Sequence, residues 1–144
     1  MATTLTYTQT GRPMVVKTPL GPDDLLLVGF TGTERMSQLF RYDLDLVATN
    51  FTDIAFDKLL AQKVGVTLDL PNGAKRHFSG ICSRVTQGNQ DDTFTSYRME
   101  VVPQFWLLTK KVQSRIFQHV SVPDILKEVL KGLDVTYEIQ GTFE

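Results

Sequence analysis

A strict alternation of apolar and charged side chains runs through residues 40–46. The apolar positions are Phe40, Tyr42, Leu44 and Leu46, and the charged positions between them are Arg41, Asp43 and Asp45. Successive side chains of a β-strand point to opposite faces, so this pattern predicts a strand with one apolar and one charged face. A register shift of one residue would bury all three charges, so we expect the pairing of this strand to be tightly fixed.

Composition limits what else the chain can be. Its 144 residues are 42% apolar, enough to bury a core in one domain and to begin another. The formal charge of -1 argues against a broad nucleic-acid-binding surface. The sequence contains no run of about 18 apolar residues, so no membrane-spanning helix is predicted. The N-terminus lacks the basic start and apolar stretch of a secretory signal, and Cys82 is the only cysteine. We therefore expect a cytoplasmic protein that is exported, if at all, without a signal peptide.

Further strand patterns predict that residues 1–103 form one antiparallel, curled sheet. Residues 71–74, Pro-Asn-Gly-Ala, favour a tight hairpin, and Gly80 predicts a bulge or bend within a strand. Residues 54–62 predict a short helix, with Thr52 or Asp53 as its cap. Strands are predicted at residues 14–17, 25–30, 63–70, 75–87 and 93–102, with an edge strand or loose arm at 3–8 and a polar loop at 87–92.

Residues 104–144 have a different character. After a short apolar run, residues 115–117 suggest a brief strand, and Ser121 with Asp124 forms a cap signal for a helix that ends near Gly132. The apolar stripe that we expect this helix to bury comprises Val122, Ile125, Leu126, Val129, Leu130 and Leu133. A strand pattern then begins at residues 134–139. The predicted fold is therefore mainly β, with a barrel-like first domain over 1–103 and an incomplete second domain over 104–144.

The charged row Arg41, Asp43 and Asp45 is the candidate site. Two nearby carboxylates suggest a glycosidase, but glycosidase carboxylates face each other across a cleft and these lie side by side on one strand. A charge row that is solvated or contacts another protein fits the pattern better. We therefore predict that Arg41, Asp43 and Asp45 belong to an interface.

No catalytic, metal or cofactor site is predicted elsewhere. His77 and His119 are far apart and lack partners at metal-ligand spacing. Ser121 and Asp124 are better explained as a helix cap than as triad members with His119. Cys82 is expected to be a small buried apolar residue.

Three blocks of sequence, in order, resemble the VgrG family of type VI secretion spike proteins. The first is residues 32–46, with an acidic residue, a Ser-x-Leu-Phe step and the alternating strand. The second is residues 78–85, and the third runs from 103–109 through 115–118 to 121–126. The resemblance covers about residues 23–133.

The resemblance implies a phage-tail-hub-like β-barrel related to the tail-tube fold. Family members form homotrimers, dock on the hexameric Hcp tube, and work with baseplate and effector proteins. They continue into further domains and a β-helical needle. Because the sequence itself shows no catalytic constellation, we expect a structural protein that is not an enzyme.

Two alternatives remain open at this stage. One is a hub-like barrel with ligand-binding or glycan hydrolase activity, since some phage hub proteins carry lysozyme domains. The other is a small adaptor that binds an effector.

Overall fold

The computed structural model of the protein describes residues 6–142, which divide into a first unit ending at Pro103 and a second beginning at Gln104. The first unit contains six strands that form one antiparallel sheet. In chain order they are β1 (Met14–Lys17), β2 (Leu26–Thr33), β3 (Arg41–Thr49), β4 (Lys63–Asp69), β5 (Lys75–Gln90) and β6 (Phe94–Val102). Their order in the sheet is β1-β4-β5-β6-β3-β2, and the predicted curled antiparallel fold is confirmed.

The alternating segment forms β3, near the middle of the sheet. Its predicted faces are correct, because Tyr42, Leu44 and Leu46 are buried whereas Arg41 and Asp45 are exposed. Leu44 pairs with Met99 of β6, and neither side chain has any exposed surface. Fully burying a side chain of this size contributes about 1.5–3 kcal/mol, so this pair anchors the core.

A buried glutamine connects the two edge strands of the sheet. The Gln9 amide donates to the Val16 carbonyl of β1 at 3.0 Å, and its oxygen accepts from the Val16 N–H at 2.8 Å. The same oxygen accepts from the Leu27 N–H of β2 at 3.4 Å. Because β1 and β2 do not pair through their backbones, this side chain supplies the hydrogen bonds that join the sheet's edges.

The longest strand, β5, departs from the sequence prediction in two ways. It continues to Gln90, through most of the predicted polar loop, and its first register shift lies between Cys82 and Arg84 rather than at Gly80. Gly80 is required for a different reason, since a Cβ there would lie 2.5 Å from the Val102 carbonyl oxygen. The prediction of a bulge at Gly80 was therefore wrong, and close approach of β6 explains this glycine.

The helix predicted at residues 54–62 is reduced to a single 3-10 turn, Phe56–Lys58. Neither Thr52 nor Asp53 caps it, because the capping position is Ala55 and has no side-chain hydrogen bond. The backbone turns away at Ala61, whose φ is 60°, and the Ala61 N–H donates to the Cys82 carbonyl at 2.8 Å. Pairing with β5 therefore replaces the remaining turns of the predicted helix.

The second unit contains a 3-10 segment, Gln104–Lys110, and one α-helix among the described residues, α1 (Val122–Val129). The predicted cap is confirmed, because Ser121 Oγ accepts from the Asp124 N–H and donates to Asp124 Oδ2 at 2.7 Å. The expected burial of the apolar stripe was wrong. No residue of α1 is buried, and Val122 and Leu126 are 53% and 45% exposed.

Two strand predictions in the second unit were also wrong. Residues 115–117 and 134–139 do not form strands, and the described part of the second unit contains no strand with which they could pair. Near the N-terminus, residues 6–8 of the predicted edge strand are likewise not a strand, and residues 3–5 lie outside the described part.

We predict that Gln9→Leu lowers the free energy of unfolding by roughly 2–4 kcal/mol, because it leaves buried backbone groups of Val16 and Leu27 without partners. Urea unfolding followed by circular dichroism measures this change. Gln87→Leu, at an exposed position of β5, is the matched control and should change stability by less than about 0.5 kcal/mol. Equal effects of the two substitutions would contradict the bridging role of Gln9.

Candidate functional site

The predicted charged row is present and extends onto the neighbouring strand. Register places Asp43 opposite Glu100 and Asp45 opposite Arg98, on the face of the sheet away from the core. We call these residues and Arg41 the ionic row. Its members therefore come from two strands, and the sequence identified only the three on β3.

Ion pairs link the members of the ionic row. Arg41 forms two hydrogen bonds with the Asp43 carboxylate, at 2.9 and 3.0 Å, and contacts Glu100 Oε2 at 2.9 Å. Asp45 Oδ1 lies 3.2 Å from Arg98 Nε. The hydrogen bond to Asp43, and then the charge of Glu100, raise the pKa of Arg41 above its ordinary value. The carboxylates of Asp43, Asp45 and Glu100 are thus each paired with a guanidinium group.

One end of the sheet, which we call the Glu34 end, consists of the loop at residues 34–40 and the hairpin at 70–74. Tyr42 Oη donates to Glu34 Oε1, and Glu34 Oε2 lies 3.2 Å from Arg76 Nη2. Burial, together with this hydrogen bond, raises the pKa of Tyr42 to about 12. The Arg76 guanidinium also lies over the Phe78 ring, 4.7 Å from its centroid. Glu34 therefore fastens the loop to the start of β5, a role that the sequence did not reveal.

The opposite end, which we call the Phe51 end, consists of the turns at residues 50–53 and 91–93. Asn50 joins them: its N–H donates to the Thr93 carbonyl at 3.0 Å, and its side-chain amide donates to the Asp91 carbonyl at 2.8 Å. The Asn50 side-chain oxygen accepts from Thr95 Oγ1 at 2.8 Å. Phe51 is fully exposed on this turn. The sequence analysis gave no role to this phenylalanine.

The histidine and the serine–aspartate pair that were weighed for catalysis have ordinary structural contacts. His77 Nδ1 is 3.1 Å from Thr67 Oγ1 on an exposed part of the sheet, and Ser121 with Asp124 forms the helix cap. Cys82 is 1% exposed, in agreement with its predicted burial. Within the described residues, no group of three or more His, Cys, Asp or Glu side chains is placed to hold a metal ion.

A pocket of about 460 Å³ lies in the second unit. Its lining includes Lys111, Arg115 and Lys131, with Glu128 as the carboxylate. The Arg115 guanidinium is held by Gln113 Oε1 at 2.6 and 3.0 Å. The pocket lining thus lacks a pair of carboxylates placed for glycoside hydrolysis.

In the described part of the chain, no helix has both the length and the apolar character needed to cross a membrane.

Residues 33–142 match the phage tail baseplate hub (GPD) family. The chain belongs to this family. It is 39% identical over 127 residues to the type VI secretion system spike protein VgrG1c of Pseudomonas aeruginosa, a match that covers 88% of this chain and 17% of that protein. It is 40% identical over 125 residues to VgrG1a of the same organism, covering 87% and 19%.

A more distant relative is VgrG3 of Vibrio cholerae, 26% identical over 125 residues, covering 81% of this chain and 12% of that protein. The resemblance to VgrG spike proteins predicted from the sequence is therefore confirmed. The chain spans less than a fifth of the length of these relatives.

A solved structure has the same fold as this chain. The E. coli c3393 protein, described as a type VI secretion component similar to the T4 bacteriophage tail proteins gp27 and gp5, superimposes with a TM-score of 0.66. The sequences are 22% identical, and the match covers 90% of this chain and 36% of that chain.

We predict that Leu44→Asp unfolds the first unit, because it places an unpaired carboxylate at a position with no exposed surface. Asp43→Asn should keep the melting temperature within about 4 °C, because a largely exposed ion pair contributes at most about 1 kcal/mol. Thermal melts followed by circular dichroism test both variants. Equal destabilisation by the two substitutions would contradict the assignment of faces on β3.

The Cys82 thiol should not react with a disulfide reagent at pH 8 while the protein is folded. Burial raises the pKa of Cys82 to about 11, so the thiolate is scarce, and the sulfur is also inaccessible. Colour released from Ellman's reagent measures the reaction. One thiol per chain should react after unfolding in urea, whereas rapid reaction of the folded protein would show that Cys82 is accessible.

Proposed function

We propose that the chain is a structural component of a type VI secretion spike, the hub region that forms a trimer and docks on the hexameric Hcp tube. The observation that carries this proposal is the match of residues 33–142 to the baseplate hub family, together with 39–40% identity to VgrG spike proteins. The chain then assembles in the cytoplasm, contacts baseplate and effector proteins, and leaves the cell with the apparatus rather than through a signal peptide.

The curled sheet suits a part that transmits force between rings. Its strands are hydrogen-bonded to their neighbours, and Gln9 occupies the gap between the edges. A sheet with protected edges resists pairing with the wrong strands, which matters in an assembly of many copies. A mechanical role of this kind needs no catalytic group, so we propose that this chain is not an enzyme.

The ionic row is our proposed seam between subunits. It lies on the outer face, and its side chains remain partly accessible: Arg41 is 57% and Asp45 is 53% exposed. The row holds three carboxylates and two guanidinium groups within reach of one another, so a neighbouring copy could form ion pairs with either kind of charge.

The second unit, in our proposal, is the beginning of a second domain. The exposed apolar stripe of α1 supports this interpretation, as do the strand-prone residues 115–117 and 134–139, which do not form strands. Such segments become regular when further polypeptide supplies the missing apolar surface and strand partners. The much greater length of the VgrG relatives is consistent with this.

The decisive experiment mixes the purified chain with hexameric Hcp and examines the mixture by negative-stain electron microscopy. We expect images of one ring stacked on another, absent from either protein alone. An Asp45→Lys variant tests the seam, because it reverses one charge of the ionic row at an exposed site. It should reduce the stacked complexes while leaving the melting temperature within about 4 °C.

Absence of any complex between the wild-type chain and Hcp would refute the docking proposal. Unchanged assembly by Asp45→Lys would refute only the assignment of the seam.

A further inference from the structure

The pocket of about 460 Å³ in the second unit has an excess of positive charge. Three of its lining side chains are cations, Lys111, Arg115 and Lys131, and one is a carboxylate, Glu128. Three positive charges and one negative charge leave the lining with a net charge of +2 at neutral pH. The volume suits a small organic molecule, since ligand pockets are typically about 300–1,000 Å³.

The two lysines of this pocket are not neutralised by the rest of the described chain. Among the described residues, the side chains of Lys111 and Lys131 form no ion pair and no hydrogen bond. Lys127 of α1 differs, because its Nζ lies 3.5 Å from Asp124 Oδ1. An anion in the pocket therefore gains two ammonium groups without breaking an existing ion pair.

Arg115 is fixed in place and still has donors for a ligand. Its Nε and Nη2 donate to Gln113 Oε1 at 3.0 and 2.6 Å, and its Nη1 donates to the Glu128 carbonyl at 3.5 Å. A guanidinium group has five N–H donors, so these three hydrogen bonds leave two unused. Because the group is held before a ligand arrives, less entropy is lost on binding.

The other walls of the pocket are apolar. Leu108, Phe117 and Val129 contribute to the lining, and Phe117 and Val129 are each 37% exposed. A bare inorganic ion would leave these side chains in water. An anion that carries an aromatic group would cover them, and its ring could pack against that of Phe117.

We propose that this pocket binds a small aromatic phosphate monoester. A phosphate monoester carries about −1.5 to −2 charges at pH 7 and has three strong acceptor oxygens, which match the net charge of the lining and its three cations. A carboxylate carries one charge on two oxygens and matches less well. The site goes beyond the proposed function, because it lies within the second unit and requires neither a trimer nor Hcp.

The test is an NMR titration of the isotope-labelled 144-residue chain with phenyl phosphate. The amide signals of Lys111, Phe117 and Val129 should shift and saturate with a Kd of about 1 mM or lower. Inorganic phosphate should bind at least about fivefold more weakly, and phenol should give no saturable shift. Shifts centred outside the pocket, or equal binding of phenol, would overturn the proposal. Equal binding of inorganic phosphate would overturn the aromatic ester as the ligand class.

Charge variants show whether the lining cations hold the ligand. Lys111→Gln and Lys131→Gln should each raise the Kd for phenyl phosphate at least about threefold. Lys127→Gln is the matched control, since this exposed lysine does not line the pocket, and it should change the Kd by less than about 1.5-fold. Losses of equal size in all three variants would indicate attraction by the general surface charge and would overturn the site.

Glu128→Gln gives a result that loss of structure cannot produce. It raises the net charge of the lining from +2 to +3, so it should lower the Kd about two- to fivefold, whereas a weaker complex would contradict the charge match. A phosphotyrosine peptide tests the other source of the same chemistry. If it binds at least about tenfold more tightly than phenyl phosphate, the pocket recognises a modified protein and the small-molecule ligand is refuted.

Discussion

The hydrogen bonds of one amide, that of Gln9, connect the two edges of the curled sheet. A curled sheet leaves unpaired backbone groups along its first and last strands, and such edges invite pairing with other chains. Gln9 offers a donor and an acceptor to Val16 of β1 and an acceptor to Leu27 of β2, while Arg12 donates to the Leu27 carbonyl at 3.0 Å. The outward row of charges and the turns at both ends keep their positions because the strands beneath them are held in this curve.

The sheet could be predicted because the residue pattern that indicates each strand lies within the strand itself. In β3 the alternation of apolar and charged residues identifies the strand and its two faces, and the structure agrees because Leu44 is fully buried and Asp45 is exposed. Gln9 carried no comparable signal. Its partners lie 7 and 18 residues away, and a lone glutamine in a polar stretch looks the same whether it is buried or solvated.

The wrong predictions of helix and strand share one physical cause: whether a segment forms a regular element depends on which other segments pack or pair with it. Residues 54–62 have good helix formers, yet pairing of Ala61 with Cys82 ends the helix after one 3-10 turn. Residues 115–117 have strand-forming side chains, but the described part of the second unit contains no strand that could pair with them. The candidate site also depends on neighbouring strands. Arg41, Asp43 and Asp45 could be identified from the sequence of β3 alone. Glu100 and Arg98 could not, because they join the row only through the register of β6 with β3. The full exposure of Phe51 could not be predicted, because an apolar residue between strands can be either buried or exposed.

The sixteen-residue β5 has a mechanical consequence. It pairs with β4 along its first half and with β6 along its second, so it is the element through which load passes between them. A pull parallel to this strand strains many ladder hydrogen bonds at once, whereas a pull across it separates them one after another. The hydrogen bonds of the sheet therefore resist a pull along β5 more strongly than a pull across it.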